Sequence, residues 1–465
     1  MKTKKRVKTR KTEPACFQHT SEKLEAPWQS LAIEYKSAAL LRSDPRNPRS
    51  HSDKQIQQIA RSIQSFGFNV PFLVDASMQV ITGHGRLRAC KLLGIDNVPV
   101  IRLDHLSEHQ KRAFMIADNR LTENAEWDDV LLGEQLKILS EAELDFTLET
   151  TGFEMGEIDL LIENFAPVPN GEIDPADLQP ESSVVQVSRT GDLWKLGRHR
   201  VFCGDALLPI SYGSLMDGHR ANAIFTGPPF DPISGHVSGN ENVHQTEFVM
   251  ASGGMSEAEF TAFFTDAFNL LGQNSLNGSL HYICMDWRHM REVLAAGAAA
   301  YFELKNLCVW TKDTPGTGSF YRSQHELIFV FQNGSNLHPN NVPPRGFGRP
   351  RSNLWRYPGA NSFSRSTNEG DLPTPNPMVK PVALVADAIM DCSARGDLVL
   401  DPFLGGGTTV IAAERSGRIC YGMEHDPAYV DTVIRRWQKF TSLEAIHQVT
   451  GQPFAQSEKD VSDAR

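Results

Sequence analysis

Residues 398–414 read LVLDPFLGGGTTVIAAE, and this stretch decides the fold. An apolar run ends in Asp401, three adjacent glycines follow, and the pattern predicts that a helix begins near Thr408 and Thr409. Glycines let a backbone approach a ligand closely, and the free N–H groups of a helix N-terminus attract an anionic group. The order strand, glycine loop, helix therefore predicts a ligand-binding turn. The plain alternative is a turn that binds nothing.

The sequence around this turn alternates between short apolar runs and helical patterns. A second apolar run, ICYGME, ends in Glu424, and an acid at the end of the neighbouring strand suits ribose hydroxyls. The same alternation extends upstream through ANAIFTG, EFTAFFTDAFNLL and GSLHYICMD. It predicts an α/β fold with a Rossmann-like, doubly wound sheet over residues 191–445.

Three further motifs accompany the glycine loop. VFCGD ends in Asp205, IFTGPPF spans 224–230, and Val379-Lys380-Pro381 stands before an apolar helix. Together, and in this order, the four motifs resemble those of the β-group N4/N6 amino DNA methyltransferases. In that family the corresponding elements are written GD, DPPY (or NPPY, SPPY), HPxxKP and DPFxGSGTT. The resemblance covers roughly residues 191–440.

The resemblance implies a site-specific DNA methyltransferase of phage, mobile-element or bacterial origin. Its cofactor would be S-adenosylmethionine, and the methyl acceptor would be the exocyclic amine of a base flipped out of double-stranded DNA, adenine N6 with cytosine N4 as the alternative. The implied catalytic positions are Gly227, Pro228, Pro229, Phe230 and Asp231. The implied cofactor-binding residues are Asp205, Lys380, Asp401, Phe403, Gly405, Gly407, Thr408 and Glu424.

Gly227 is the main departure from the family pattern, because it stands where the motif has its acid. In the family, that acid and the first proline carbonyl accept the two amine hydrogens, while the aromatic residue stacks on the base. A charge-assisted hydrogen bond contributes about 1.5–3 kcal/mol, so its loss predicts a severe loss of rate. Asp231 is a candidate replacement. The alternative hypothesis is a catalytically silent protein that still binds cofactor and DNA.

Arginines interleaved with aromatic residues suggest a DNA-facing surface, since they suit phosphates, base edges and stacking. The stretch from Ser319 to Glu326 is a second candidate for target recognition. The alternative is a solvated loop with ordinary ion pairs. The candidate DNA-binding residues are Arg322, Arg345, Arg349, Arg351 and Arg356.

A smaller block precedes this domain. It contains the helical pattern QIQQIARSIQSFGF, the strand pair PFLVD and QVITG, and a helix start at Gly83-His84-Gly85-Arg86. These residues, with Asn47-Pro48-Arg49 and ADNR at 117–120, resemble the α+β ParB/sulfiredoxin-like fold. The resemblance implies nucleotide or DNA binding at a box formed by Gly83, His84 and Arg86. A domain that only mediates interactions is the alternative, and a nucleotide-switched DNA clamp is a third hypothesis for the whole chain.

Composition divides the chain into segments. We predict a basic, disordered tail at 1–32, the ParB-like domain at 33–120 and a helical extension at 121–165, which together with that domain forms one block. A Pro-rich, acidic linker follows at 166–190, then the methyltransferase domain at 191–445 and a disordered tail at 446–465.

Charge and cysteine usage constrain partners and compartment. The net charge of −10 is unlike that of a dedicated nucleic-acid binder, so we expect a local basic groove and binding that weakens with salt. Seven cysteines without a CxxC pair favour neither a zinc site nor a disulfide framework, and they fit a cytoplasmic protein. We predict no bound metal and no membrane association, and the resemblance implies a homodimer.

Overall fold

The computed structural model describes residues 31–163, 174–177, 185–229, 256–313, 315, 321–342, 351–359 and 379–463. The chain divides into two compact units, residues 1–126 and 127–465. The predicted basic tail lies outside the described residues except for positions 31 and 32. No helix in the described ranges has the length and apolar character needed to cross a bilayer.

The first unit is a four-stranded sheet packed with three helices. Its strands are β1 (Ile33–Ser37), β2 (Phe72–Val74), β3 (Val80–Thr82) and β4 (Asn97–Arg102), in the order β1-β4-β2-β3. Its helices are α1 (Asp53–Phe66), α2 (His84–Leu93) and α3 (Glu108–Glu123). Helix α1 ends at Gly67, as its sequence predicts, because a φ of +82° is accessible to glycine. Phe72, Val74 and Val100 are fully buried between sheet and helices.

The second unit begins with two helices, α4 (Asp129–Glu141) and α5 (Met155–Glu163). A ten-stranded sheet follows. Its strands are β5 (Leu193–Leu196), β6 (His199–Cys203), β7 (Ala221–Thr226), β8 (Ser275–Met285), β9 (Glu303–Thr311), β10 (His325–Gln332), β11 (Leu354–Arg356), β12 (Leu398–Asp401), β13 (Ile419–Glu424) and β14 (Ile446–His447). The strand order is β11-β9-β10-β8-β7-β12-β13-β6-β5-β14. Strands β6, β13, β12, β7 and β8 are parallel, which gives the sheet its doubly wound centre.

In the part of this unit that the structure describes, the helices after α5 are α6 (Pro209–Met216), α7 (Glu257–Gln273), α8 (Met290–Ala300), α9 (Val382–Met390), α10 (Thr408–Ser416), α11 (Pro427–Thr441) and α12 (Phe454–Asp463). Two hydrophobic clusters cover the two faces of the sheet. One contains side chains of α9, α10 and α11, among them the fully buried Trp437. The other contains side chains of α6, α7 and α8, including Phe264 and Phe268. The layers agree with the predicted α/β class.

The helical extension differs from the prediction, because α4 and α5 belong to the second unit and not to the block before it. Asp159 of α5 is completely buried and accepts from Arg418 at 2.7 and 2.9 Å and from Arg395 Nε at 3.1 Å. Such a buried, multiply bonded ion pair joins α5 to the strand–helix layers more than 230 residues later in the chain.

The linker and the C-terminal tail also differ from the prediction. In the described part of the linker, the carboxylate of Asp177 accepts from Val382 N at 2.7 Å, and Ser188 N donates to Asp431. At the C-terminus, β14 pairs with β5 and α12 buries Phe454 completely. The prediction of a disordered tail over 446–465 is therefore wrong at residues 446–463, because one anchoring aromatic side chain outweighs a polar composition.

Candidate active site

A cavity of about 440 Å³ opens at the sheet edge where β6, β13, β12 and β7 end. Parallel strands bring their carboxyl ends to the same edge, so the residues following each strand converge there. Its lining includes Asp205, Gly227, Pro228, Pro229, Lys312, Glu326, Lys380, Asp401, Phe403, Gly405, Thr408, Glu424 and Asp426.

Asp401, at the end of β12, ties the strand ends together. Its Oδ1 accepts from Thr226 Oγ1 at 2.7 Å and from Phe403 N at 3.2 Å, and its Oδ2 accepts from Thr409 Oγ1 at 2.6 Å. Burial raises the pKa of this carboxyl, although these three hydrogen bonds counteract the shift. Asp401 therefore holds the end of β7, just before Gly227, against the start of α10.

Glu424, at the end of β13, shapes the glycine loop. Its Oε2 accepts from Gly405 N at 2.8 Å and its Oε1 accepts from Asp426 N at 2.9 Å. Burial is the largest influence and raises its pKa. A carboxylate has about four lone-pair positions, so both oxygens retain capacity for a ligand's hydroxyl groups.

The glycine loop is closely fitted to its surroundings. Gly407 has φ +80°, and a Cβ there would lie 2.8 Å from Val433 Cγ1. Arg436, which is buried, donates to Gly406 O at 2.8 Å and to Thr408 Oγ1 at 3.2 Å. A buried cation thus fixes the Gly406 carbonyl, while Gly405 N donates to Glu424 and Gly407 N donates to Leu404 O.

Gly227 directly follows β7 and has no left-handed φ. A Cβ placed on it would lie 2.7 Å from Lys380 Nζ. The ammonium group of Lys380 thus occupies the space that a side chain at position 227 would enter.

The Glu326 carboxylate forms ion pairs with two lysines, Lys380 and Lys312. Lys380 Nζ lies 3.3 Å from Glu326 Oε1, and Lys312 Nζ lies 3.4 Å from Glu326 Oε2. The Glu326 side chain is only 12% exposed. Burial alone would raise the pKa of Glu326, but the two lysine charges outweigh it and hold that pKa below its ordinary value. Burial likewise would lower the pKa of Lys380, yet the Glu326 charge raises it.

Most residues predicted for catalysis or cofactor binding converge on this cavity. Phe230 and Asp231 lie outside the described residues, and Gly407 supports the loop without lining the cavity. Lys312, Glu326 and Asp426 were missed as cavity residues. Glu326 falls in a stretch singled out for target recognition, but only the sheet order brings it here.

The predicted DNA-binding arginines fall into three groups. Arg322 and Arg356 are exposed, whereas Arg345 and Arg349 lie outside the described residues. Arg351 departs from the prediction, since it is 14% exposed and lies 3.0 Å from Asp387 and 3.3 Å from Asp391. Its guanidinium also covers the Trp355 ring at 4.6 Å. Two carboxylates and a ring engage this cation, which assigns it to the protein interior instead of a DNA surface.

The ParB-like box in the first unit places its three predicted residues at the start of α2. Gly83 caps the helix with φ +114°, where a Cβ would lie 2.8 Å from the Phe72 ring. His84 is buried, and burial lowers its pKa. Arg86 donates from Nη2 to Pro71 O at 3.4 Å, while its buried Nε has no hydrogen-bond partner within the described part of the chain.

Two other site types find no support in the described residues. No group of three or more His, Cys, Asp or Glu side chains is arranged there to hold a metal ion. The six cysteines in the same ranges are buried and unpaired, and burial raises the pKa of Cys203 and Cys284.

Comparisons with known proteins give one family match within each unit. A family model described as DNA methylase matches residues 221–435, and the ParB N-terminal domain model matches residues 26–120. The ParB-like nuclease domain-containing protein YnaK of Escherichia coli K12 is 39% identical over 84 residues, which are 18% of this chain and 97% of that protein.

Similarity to curated methyltransferases is partial. The type II methyltransferase M2.MboI of Moraxella bovis is 25% identical over 149 residues, 30% of this chain and 52% of that protein, so the chain spans about half of this relative's length. A crystal structure of the M1.HpyAVI–SAM complex aligns with a TM-score of 0.36 at 20% identity, covering 51% of this chain and 97% of that one.

Proposed function

We infer that this chain, which belongs to the DNA methylase family and carries a ParB N-terminal domain in front of it, is an S-adenosylmethionine-dependent methyltransferase that modifies an exocyclic amine in DNA. One observation supports the assignment of the cofactor-binding and catalytic residues to a common site. A single cavity contains both the glycine loop with its two strand-end carboxylates and the Gly227-Pro228-Pro229 turn. A donor and an acceptor of a methyl group must meet in one such space.

The charges and surfaces of the cavity fit S-adenosylmethionine. Asp205, Asp401, Glu424 and Asp426 line one part of it, and burial raises the pKa of both Asp401 and Glu424. A nearby cation stabilises the ionised form of a buried carboxylate. S-adenosylmethionine would bring two cations, a sulfonium and an ammonium group.

The proposed roles follow from these positions. Glu424 would accept from the ribose hydroxyls, Asp205 from the ammonium group, and the first amides of α10 would donate to the carboxylate. Phe403 contributes an apolar wall beside Phe263, with ring centroids 6.1 Å apart. When bound, S-adenosylmethionine supplies an activated methyl group. Asp401 acts through position, because it fixes the Pro228 turn relative to the loop.

The base amine would enter beside Gly227 and Pro228. Its nitrogen lone pair is delocalised into the ring, so an acceptor for an amine hydrogen helps to localise it. We predict adenine N6 as the acceptor, with cytosine N4 as the alternative, and double-stranded DNA as the substrate. Arg322 and Arg356 are the exposed cations proposed to contact its phosphates.

The test is transfer of labelled methyl from S-adenosylmethionine to PCR-amplified bacterial genomic DNA, which carries no prior methylation. Digestion to nucleosides and chromatography would show whether label is in N6-methyladenosine or N4-methylcytidine derivatives. Label in neither, in a chain that binds S-adenosylmethionine, would favour the catalytically silent alternative. The observation that favours this alternative is that Lys380 Nζ occupies the space beside Gly227 where the motif's acid would lie.

For the first unit we propose a nucleotide site at the start of α2. The supporting feature is Arg86, whose buried Nε is unsatisfied within the described ranges while burial lowers its pKa. A phosphate would supply an acceptor and a counter-charge. Arg86→Ala in the full chain should abolish binding of labelled CTP or ATP, and Arg88→Ala serves as the control, since Arg88 is exposed and bonded to Asp53. Absence of nucleotide binding in the unmodified chain would refute this site.

We further propose that the chain forms a homodimer, which sedimentation velocity of the full chain checks, and that it works in the reducing cytoplasm of the producing cell.

A further inference from the structure

The cavity contains an acid that the catalytic motif does not supply. Glu326 is the second residue of β10, and β10 runs antiparallel to β8 and β9. The start of β10 therefore reaches the edge where the parallel strands end. In the sheet, β8 lies between β10 and β7 and runs parallel to β7. Gly227 follows β7, so only β8 separates the strand before Gly227 from the strand that carries Glu326.

Glu326 and position 227 are linked through one ammonium group. Lys380 Nζ is 3.3 Å from Glu326 Oε1 and 2.7 Å from where a Cβ on Gly227 would stand. In a relative with an acid at 227, that acid would meet the same lysine. Here the lysine contacts Glu326, so a carboxylate charge lies on the other side of the same ammonium group.

Among the residues that the structure describes, Asp401 is bonded to Thr226 just before Gly227, but its carboxylate is already engaged. Asp401 is 4% exposed and uses both oxygens for three hydrogen bonds within the protein. Glu326 is 12% exposed, lines the cavity and holds two lysines through ion pairs of 3.3–3.4 Å. With about four lone-pair positions on a carboxylate, it retains room for a ligand N–H.

We propose that Glu326 accepts a hydrogen of the target amine and thereby replaces the acid that Gly227 lacks. The inference rests on the proposed function. In the balanced step the amine nitrogen bonds to the methyl carbon, the former carbon–sulfur pair stays on sulfur, and one proton leaves the positively charged nitrogen for Glu326 and then water. Lys312 and Lys380 keep Glu326 ionised until that proton arrives.

The variants are Glu326→Gln, Gly227→Asp and their combination, with Glu414→Gln as a matched control. Glu414 is also a part-buried carboxylate, bonded to His199 at 2.8 Å and Trp437 at 2.9 Å, but it does not line the cavity. We measure the Kd for S-adenosylmethionine by calorimetry, the kcat and KM of labelled methyl transfer to amplified DNA, and the thermal midpoint of each variant.

We expect Glu326→Gln to lower kcat by about 10²–10³-fold, the range for a lost transition-state partner, and to leave the Kd within about threefold. Gly227→Asp in that background should restore at least tenfold, because an aspartate there reaches Lys380 and the amine directly. We expect no such rescue from a purely structural role, since the ion-pair partner next to position 227 is Lys380, and Lys312 is not among the three atoms nearest to a Cβ there. Glu414→Gln should keep kcat.

Several results would overturn the inference. One is Glu326→Gln with a kcat within threefold of the unmodified chain. Another is an unmodified chain that binds S-adenosylmethionine but transfers no methyl, while Gly227→Asp does transfer it, because the cavity would then be a methyltransferase site in which Glu326 does not replace the acid. Failure to bind S-adenosylmethionine, or no transfer by either the unmodified chain or Gly227→Asp, would instead refute the proposed function, so the two failures are distinguishable.

Discussion

Glu424→Gln tests the cofactor half of the cavity. The carboxylate accepts from Gly405 N at 2.8 Å and from Asp426 N at 2.9 Å. A glutamine amide retains one acceptor oxygen but presents an NH₂ to the second N–H, so one loop amide loses its partner. The charge that would hold the ribose hydroxyls is lost as well.

The magnitude follows from these bonds. One charge-assisted hydrogen bond to the ligand contributes about 1.5–3 kcal/mol. At about 1.4 kcal/mol per tenfold change, the Kd for S-adenosylmethionine should rise roughly 10- to 150-fold. The displaced loop amide adds an unsatisfied buried group, which costs about 1–3 kcal/mol of folding stability.

Isothermal titration calorimetry with S-adenosylmethionine measures the first effect, and urea denaturation without ligand measures the second. Glu414→Gln, whose side chain bonds His199 and Trp437 away from the cavity, controls for loss of a part-buried carboxylate. A Kd for Glu424→Gln within threefold of the unmodified chain would refute the role assigned to this strand-end acid.

Three other predictions concern stability. Asp159→Ala leaves Arg418 fully buried without its carboxylate and should lower the free energy of unfolding by about 3–5 kcal/mol. Urea denaturation measures this loss, with Asp145→Ala at an exposed position as the control. A loss below about 1 kcal/mol would contradict the assigned ion pair. Gly407→Ala places a methyl group 2.8 Å from Val433 Cγ1 at a backbone φ of +80°. Backbone strain and overpacking together should cost about 2–5 kcal/mol and lower the thermal midpoint of unfolding. An unchanged midpoint would contradict the close fit of the loop. Because the pKa of Glu326 is lowered by the two lysines, its stabilising effect is present above its ordinary value of 4.5 and is lost as pH falls through the folded pKa. The stability advantage of the unmodified chain over Glu326→Gln should therefore shrink below about pH 4.5, and an advantage that grows on acidification would contradict the assigned ion pairs.

The strand ends at Asp401 and Glu424 could be predicted from sequence because the information is local. An apolar run, a terminal acid and a glycine loop specify a strand and the turn after it, and parallel pairing brings the two acids to one edge. The Gly227 turn was placed by the resemblance of IFTGPPF to the family's catalytic motif, which follows an apolar run. The sequence does not contain the strand order explicitly, so Glu326 could not be placed. An acid at the start of an antiparallel strand has no local mark that aims it at the cavity.

The errors share a physical cause, which is long-range pairing. Arg351 has the arginine–aromatic pattern of a nucleic-acid surface, but Asp387 and Asp391, more than 30 residues away, engage it. The polar C-terminal segment folds because Phe454 fills a hydrophobic site against Trp194, with ring centroids 5.2 Å apart. Composition averages over a segment, whereas one buried contact can decide its state.

The buried Asp159–Arg418 pair has a consequence for how such chains can be recombined. A genetic exchange that carried only residues 191–463 into another chain would separate Arg418 from its carboxylate and strip Val382 and Asp431 of their bonds to the segment before residue 190. A segment that keeps these bonds must include α5, and the compact unit that contains α5 begins at Trp127. Fusion partners for this unit should accordingly be joined ahead of α4 and not at the proline-rich segment, where the composition predicts a domain boundary.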